Sequence, residues 1–301
     1  MPRVVLGLLL IVCSAAASAQ TPQSVTFPSR DGKTRLVGYV YRPQGAGPFP
    51  AVVMLHGRSG VYSSAAHGHY DAAHLMLRHK AWGTFWMQHG YLALLVDSFS
   101  PRGYAAGFPI HSYRNRPPAV SEQTVRPLDA YGALDYLRSR ADVIGSAIGV
   151  QGWSNGGMTV LATMALHPPG IENPTPRTGF RAALAFYPSC RKQAHQAYRP
   201  YAPLLVLVAT NDREVSPTVC EKFAAGVRAR GGNIGIVRYA GATHAFDEPS
   251  SKRQRIDANR IALQDSEKRA AAFFHRYLKN KNEGGRMKDD ERQARRIKSE
   301  R

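Results

Sequence analysis

Cysteine is scarce in this 301-residue chain: only Cys190 and Cys220 remain once Cys13, inside an apolar N-terminal segment, is set aside. Two thiols exclude a cysteine-rich metal framework and a disulfide-dense scaffold. Long apolar runs are also lacking. The N-terminal one, Val4 to Val12, is nine residues long, where a helix crossing a bilayer needs about 20. Acidic residues are few, 21 against 40 Lys and Arg, for a formal net charge of +19. A surplus of that size raises nucleic acid or an anionic surface as partners. The basic residues are spread along the chain, however, and the densest stretch, Arg276 to Arg301, is interleaved with Glu283, Asp289, Asp290, Glu291 and Glu300. No nucleic-acid-binding motif accompanies them. The surplus reads as solvated surface, with no nucleic-acid partner and no stable membrane insertion.

The N-terminus has the layout of a secretory signal peptide: Arg3, the apolar run to Val12, then Ala17-Ser18-Ala19 as a small-x-small cleavage site. A lipoprotein site at Cys13 is the alternative, with Val12 bulkier than such sites favour. Cleavage near Ala19 predicts an exported protein, periplasmic or secreted, that starts at Gln20. Residues 20–280 then form one domain and 281–301 a charged tail. Export leaves two cysteines in an oxidising compartment, where Cys190 and Cys220 are candidates to pair.

Residues 24–42 read as two strands around Asp31-Gly32, a dipeptide suited to a tight hairpin. Thereafter buried-type strands alternate with helical segments. The strands are placed at Ala51 to Leu55, Tyr91 to Val96, the run ending at Gln151, Arg181 to Tyr187, Pro203 to Thr210 and Ile234 to Tyr239. Helices are placed at Leu75 to His89, Val125 to Leu137, after Ser154, after Ser216-Pro217, and from near Asp265. Alternation predicts an α/β fold, a parallel sheet flanked by helices in three layers, after an antiparallel hairpin. Ligands of such sheets bind beyond the carboxyl ends of the strands. Between 61 and 82 the chain is rich in histidine, but the five-residue spacings of His69, His74 and His79 share no helical face and no carboxylate or cysteine cluster joins them. No metal site is therefore assigned, and nothing points to a cofactor. The connection from Ser98 to Arg126 is long for a loop, a length typical of lids and binding loops.

The run into Gly152-Trp153-Ser154-Asn155-Gly156-Gly157 supplies a strand, a glycine-flanked serine and a small-residue helix, the setting in which G-x-S-x-G places a nucleophile on a sharp turn. A glycine-rich turn with an incidental serine would match the pattern alone. A serine hydroxyl needs a base and an acid to orient that base, in the chain order Ser, acid, His. Asp212 closes one later strand and His244 follows the next, which makes Ser154, His244 and Asp212 a candidate triad; Glu214 and Asp247 are the fallback acids. The oxyanion is assigned to the backbone N–H groups of Asn155 and of Arg58, in the loop His56-Gly57-Arg58. Arg58, Arg102, Tyr104 and Trp153 are candidate substrate contacts.

Taken together, the elbow, the strand-end aspartate and the segment Gly241 to Phe246 (Gly-Ala-x-His-x-Phe) give a chain that resembles the dienelactone hydrolase family of α/β-hydrolases over roughly residues 24–278. The resemblance implies an eight-stranded sheet, an acyl-enzyme, and small ester or lactone substrates. In this topology Cys190 and Cys220 fall near the strand ends that carry Asp212, where a bridge would brace the acid loop. Three features depart from the founding enzymes: Ser154 replaces a cysteine, His56-Gly57-Arg58 occupies a loop that carries a glutamate, and Asp247-Glu248-Pro249 stands where a substrate-binding arginine follows the histidine. Two other readings compete with an ester or lactone hydrolase. A prolyl oligopeptidase-like peptidase shares the elbow, but its propeller domain has no room here. A non-catalytic binding protein on the same scaffold would have no use for an intact Ser, Asp and His set.

Overall fold

The computed structural model describes residues 21–279; the expected signal peptide and C-terminal tail lie outside them. Eight strands, β1 (Gln23–Pro28), β2 (Arg35–Tyr41), β3 (Phe49–Leu55), β4 (Leu92–Asp97), β5 (Val143–Trp153), β6 (Ala183–Phe186), β7 (Leu204–Ala209) and β8 (Ile234–Tyr239), form one sheet in the order β1-β2-β4-β3-β5-β6-β7-β8. β1, β2 and β4 pair antiparallel; every later pair is parallel. Among the described residues seven α-helices accompany them: α1 (Leu77–Gln88), α2 (Arg126–Arg138), α3 (Asn155–Thr163), α4 (Arg191–Ala194), α5 (Pro217–Ala229), α6 (Ser251–Gln254) and α7 (Asp257–Phe274).

The two-residue period of the strands builds the three layers. In β3, Ala51, Val53 and Leu55 enter a core shared with α2, α3 and α5, through Leu134, Val160 and Phe223. The intervening Val52 and Met54 point to the other face and pack with Trp82 and Trp86 of α1 and Phe274 of α7. β3 therefore carries no polar residue, because both of its faces are covered. Fully burying one such aliphatic side chain is worth roughly 1.5–3 kcal/mol.

Helix ends follow local chemistry. Gly90, at φ +74°, accepts the left-handed conformation just beyond α1. Pro127 in the first turn of α2 and Pro217 opening α5 need no N–H partner there. The last helix begins at Asp257, eight residues before the expected start near Asp265. Its buried stripe, Asn259, Ala262, Ser266, Ala270 and Phe274, uses polar residues in the first turns, so apolar periodicity is hidden where the helix begins.

Candidate active site

Ser154 joins β5 to α3 with φ 52° and ψ −111°. Holding a non-glycine residue in so sparsely populated a region costs roughly 1–3 kcal/mol, and the flanking glycines make the turn geometrically feasible. A Cβ at Gly152 would collide with the Gly156 carbonyl, and one at Gly156 with the Leu55 carbonyl of β3. The hydroxyl is presented beyond the carboxyl end of the sheet.

Two later strand ends meet it there. His244 Nε2 lies 3.0 Å from Ser154 Oγ, and its Nδ1 lies 2.7 Å from Asp212 Oδ2. The Asp212 side chain is almost wholly buried. Its other oxygen accepts the backbone N–H groups of Glu214 and Val215 at 2.8 and 3.0 Å. One oxygen thus fixes the turn and the other faces the imidazole. Tyr187 packs its ring 4.7 Å from that of His244. An imidazole held between a carboxylate and a hydroxyl in this way can accept the hydroxyl proton as the oxygen attacks an electrophile.

The fallback acids sit elsewhere. Glu214 Oε2 is 3.7 Å from Nε2, on the serine side of the ring, and 3.4 Å from Arg58 Nε. Asp247 is buried beneath the site with both oxygens engaged: Trp82 and Trp153 donate indole N–H bonds of 2.8 and 2.7 Å to Oδ2, and the Tyr187 hydroxyl donates to Oδ1. Arg78 adds its charge at 3.6 Å from Asp247 and 3.0 Å from Glu248.

A cavity of about 340 Å³ opens over Ser154 and His244, at the small end of the range for ligand pockets. Its walls come from the Gly57–Gly60 loop, from Ser63 and Met76 to His79, and from Ala245 to Arg253. The segment 61–75 is folded back on itself by the Tyr62–Leu75 bridge. His79 lies at this wall as a neutral ring, because burial, then the adjacent Arg78 charge, lowers its pKa to about 3.

Of the expected substrate contacts, Arg58 lines this cavity and three others do not. Trp153 is fully buried, its indole committed to Asp247. Arg102 is turned away into paired bonds with Asp129 and one with Asp31, which a buried guanidinium requires. Tyr104 packs on Phe108 outside the lining. Cations that sequence reasoning passed over take their place: Arg78, paired with Glu248, and Arg253, whose Nη1 donates to Thr243 Oγ1 at 3.2 Å. Arg78 lies within the histidine-rich stretch, beside His79, and only the fold brings it to the serine.

The loop that faces the elbow is shaped by His56. Its Nδ1 donates to the Gly57 carbonyl at 2.7 Å and its Nε2 accepts the Ser98 N–H at 3.3 Å. Complete burial, then the charge of Arg126, keeps its pKa well below the ordinary value and the ring neutral. Cys190, just after β6, and Cys220, in the first turns of α5, form a disulfide with Cα atoms 5.1 Å apart. Among the described residues no group of three or more His, Cys, Asp or Glu is placed to hold a metal ion.

A family model for the dienelactone hydrolase family matches residues 36–278. The chain belongs to that family. Solved structures with the same fold include an esterase from the planctomycete Thermogutta terrifontis (esterase 2), 18% identical, with a TM-score of 0.59 over 87% of this chain and 95% of that one. Another is a putative dienelactone hydrolase from Klebsiella pneumoniae, 18% identical, with a TM-score of 0.56 over 85% and 100% of the two chains. A third, the dienelactone hydrolase-like promiscuous phosphotriesterase P91 from metagenomic libraries, is 20% identical, with a TM-score of 0.59 over 86% and 98%. Within the family, then, this chain carries a serine at the elbow.

Proposed function

We propose that the protein is a serine hydrolase of small carboxylic esters or lactones, acting through Ser154, His244 and Asp212 by way of an acyl-enzyme. Family membership supports hydrolysis of esters, and the carrying observation is the unbroken chain of contacts from Ser154 Oγ through His244 to Asp212. His244 takes the serine proton as Oγ attacks the carbonyl carbon, and Asp212 stabilises the imidazolium that forms. The tetrahedral oxyanion is received by the N–H groups of Asn155, at the start of α3, and Arg58. His244 then passes its proton to the leaving alcohol, or to the ring-opened alkoxide of a lactone. Water, deprotonated by the same imidazole, releases the acid.

The cavity volume favours substrates of modest size, and the expected surroundings are an exported compartment. The Cys190–Cys220 disulfide fits an oxidising location, reached after cleavage of the N-terminal segment near Ala19. No described helix is long and apolar enough to cross a membrane.

The test is turnover of short-chain p-nitrophenyl esters and simple lactones by wild type and Ser154→Ala, together with covalent labelling by a fluorophosphonate. One structural neighbour, the Thermogutta esterase 2, has been captured phosphorylated by paraoxon, which makes an organophosphorus probe a sensible choice. Ester turnover that survives Ser154→Ala would overturn the assignment, as would a wild type that hydrolyses nothing and takes no label.

A further inference from the structure

The connection between β4 and α2, residues 98–125, supplies no side chain to the cavity wall, yet it holds both peptides assigned to the oxyanion. Arg116 is the centre of one contact. Its Nη1 donates to Asn155 Oδ1 at 2.9 Å and to Glu122 Oε1 at 2.6 Å, with both side chains of that ion pair about nineteen-twentieths buried. Phe108 and Tyr113 place their ring centroids 5.4 and 5.6 Å from the guanidinium carbon. The Asn155 amide is held at its other end too, donating to Met158 Sδ at 3.4 Å. The side chain of the residue directly after the nucleophile is thereby fixed from outside its own helix.

The second half of the hole is held by the same connection and the residue that ends it. Arg126, wholly buried at the start of α2, donates from Nη2 to the His56 carbonyl at 2.7 Å. The Phe108 N–H bonds the Arg58 carbonyl at 2.8 Å. The two carbonyls bracket the Gly57-Arg58 peptide, whose N–H is the second donor. A guanidinium as deeply buried as Arg116 requires a partner and a reason to be there, and it lies outside the cavity, so contact with substrate is not that reason.

We propose that Arg116 is a positioning residue for ester hydrolysis: through the Asn155 side chain it fixes the first oxyanion donor, while Arg126 and the Phe108 N–H fix the second. The proposal rests on the serine-hydrolase reading above. A donor held in place acts where charge develops, so its loosening is felt in the transition state and not in the ground state. Removing an oxyanion donor outright lowers kcat by roughly a hundred- to a thousandfold. Loosening one should lower it by roughly ten- to a hundredfold with KM nearly unchanged.

The experiment compares wild type, Arg116→Met, Asn155→Ala and the double variant for kcat and KM on a short p-nitrophenyl ester. It also measures the rate of Ser154 labelling by a fluorophosphonate, whose phosphoryl oxygen occupies the same hole. Arg116→Met keeps the packing stem between the two rings; Glu122→Gln, isosteric, is the second variant should Arg116→Met not fold, and it should give a smaller loss in the same direction. Melting temperatures identify unfolded variants. The expected result is a fall in kcat and in labelling rate by similar factors, with the Arg116→Met effect largely absent in the Asn155→Ala background. A raised KM at unchanged kcat would overturn the proposal in favour of a substrate contact. So would an effect of undiminished size in the Asn155→Ala background, or variants as fast as wild type. A wild type that neither turns over nor labels sinks the serine-hydrolase reading and this proposal with it; an active wild type beside unaffected variants sinks the proposal alone.

Discussion

Removing the disulfide should weaken the fold far more than it weakens the chemistry. Cys190 and Cys220 are 30 residues apart in sequence and both buried. Closing a loop of that length removes unfolded-state entropy worth about 3.6 kcal/mol at 25 °C in the chain-entropy treatment. For a chain of this size that corresponds to a fall in Tm of about 7 °C. Cys190→Ala/Cys220→Ala is the variant of choice, because alanine leaves no buried hydroxyl in need of a partner. Urea unfolding of wild type, of the variant and of wild type with reductant should give a lower midpoint for the last two. The m-value should rise slightly, since an unbridged unfolded chain exposes more surface. Turnover at 25 °C should stay within about twofold, because Asp212 keeps its two backbone donors and its imidazole partner. Coincident unfolding curves for the double variant and wild type would refute the reasoning, and so would two free thiols in unfolded, non-reduced protein.

Other outcomes follow from the same contacts. Asp212→Asn should leave the fold intact and lower kcat by roughly three to four orders of magnitude, read by steady-state kinetics; retention of a tenth of the activity would show that another acid serves His244. Asp247→Ala leaves three buried donors and Arg78 facing a void, and should cost about 3–5 kcal/mol in denaturant unfolding. Arg102→Ala leaves the buried Asp129 without its guanidinium, while Asp31 keeps its bonds from Lys33 and Thr34, and should lose stability on the same scale while KM changes less than about twofold; a large KM effect with unchanged stability would return Arg102 to the substrate.

That Ser154, Asp212 and His244 lie together at one end of the sheet was legible because each follows a run that is apolar at most positions and reads as a strand, so the three could be set at strand ends without knowing the sheet order. The substrate contacts were not legible in the same way. Trp153 neighbours the nucleophile, but a strand alternates its side chains, and the indole points down to Asp247, 94 residues further on. Arg102 looked like a free cation in a loop until the fold brought Asp129 and Asp31 to it. Arg78 and Arg253, which do reach the cavity, carry no local mark, since their positions depend on how α1 and α6 pack. The start of α7 was obscured for a related reason: Asn259 and Ser266 are buried by specific hydrogen bonds, Asn259 to Thr243 beside the base, and polar residues on a buried face leave no periodic signal.

The floor of the site also gives the protein a built-in optical gauge. All three tryptophans, Trp82, Trp86 and Trp153, are buried, and two of them share one acceptor, Asp247, which also accepts the hydroxyl of Tyr187, whose ring lies tilted against that of His244. Indole emission depends on the polarity and the hydrogen-bond partner felt at Nε1. Any ligand that presses on His244 or shifts Asp247 therefore registers as a change in native fluorescence, so occupancy can be titrated with unreactive amides or product acids and needs no chromogenic substrate.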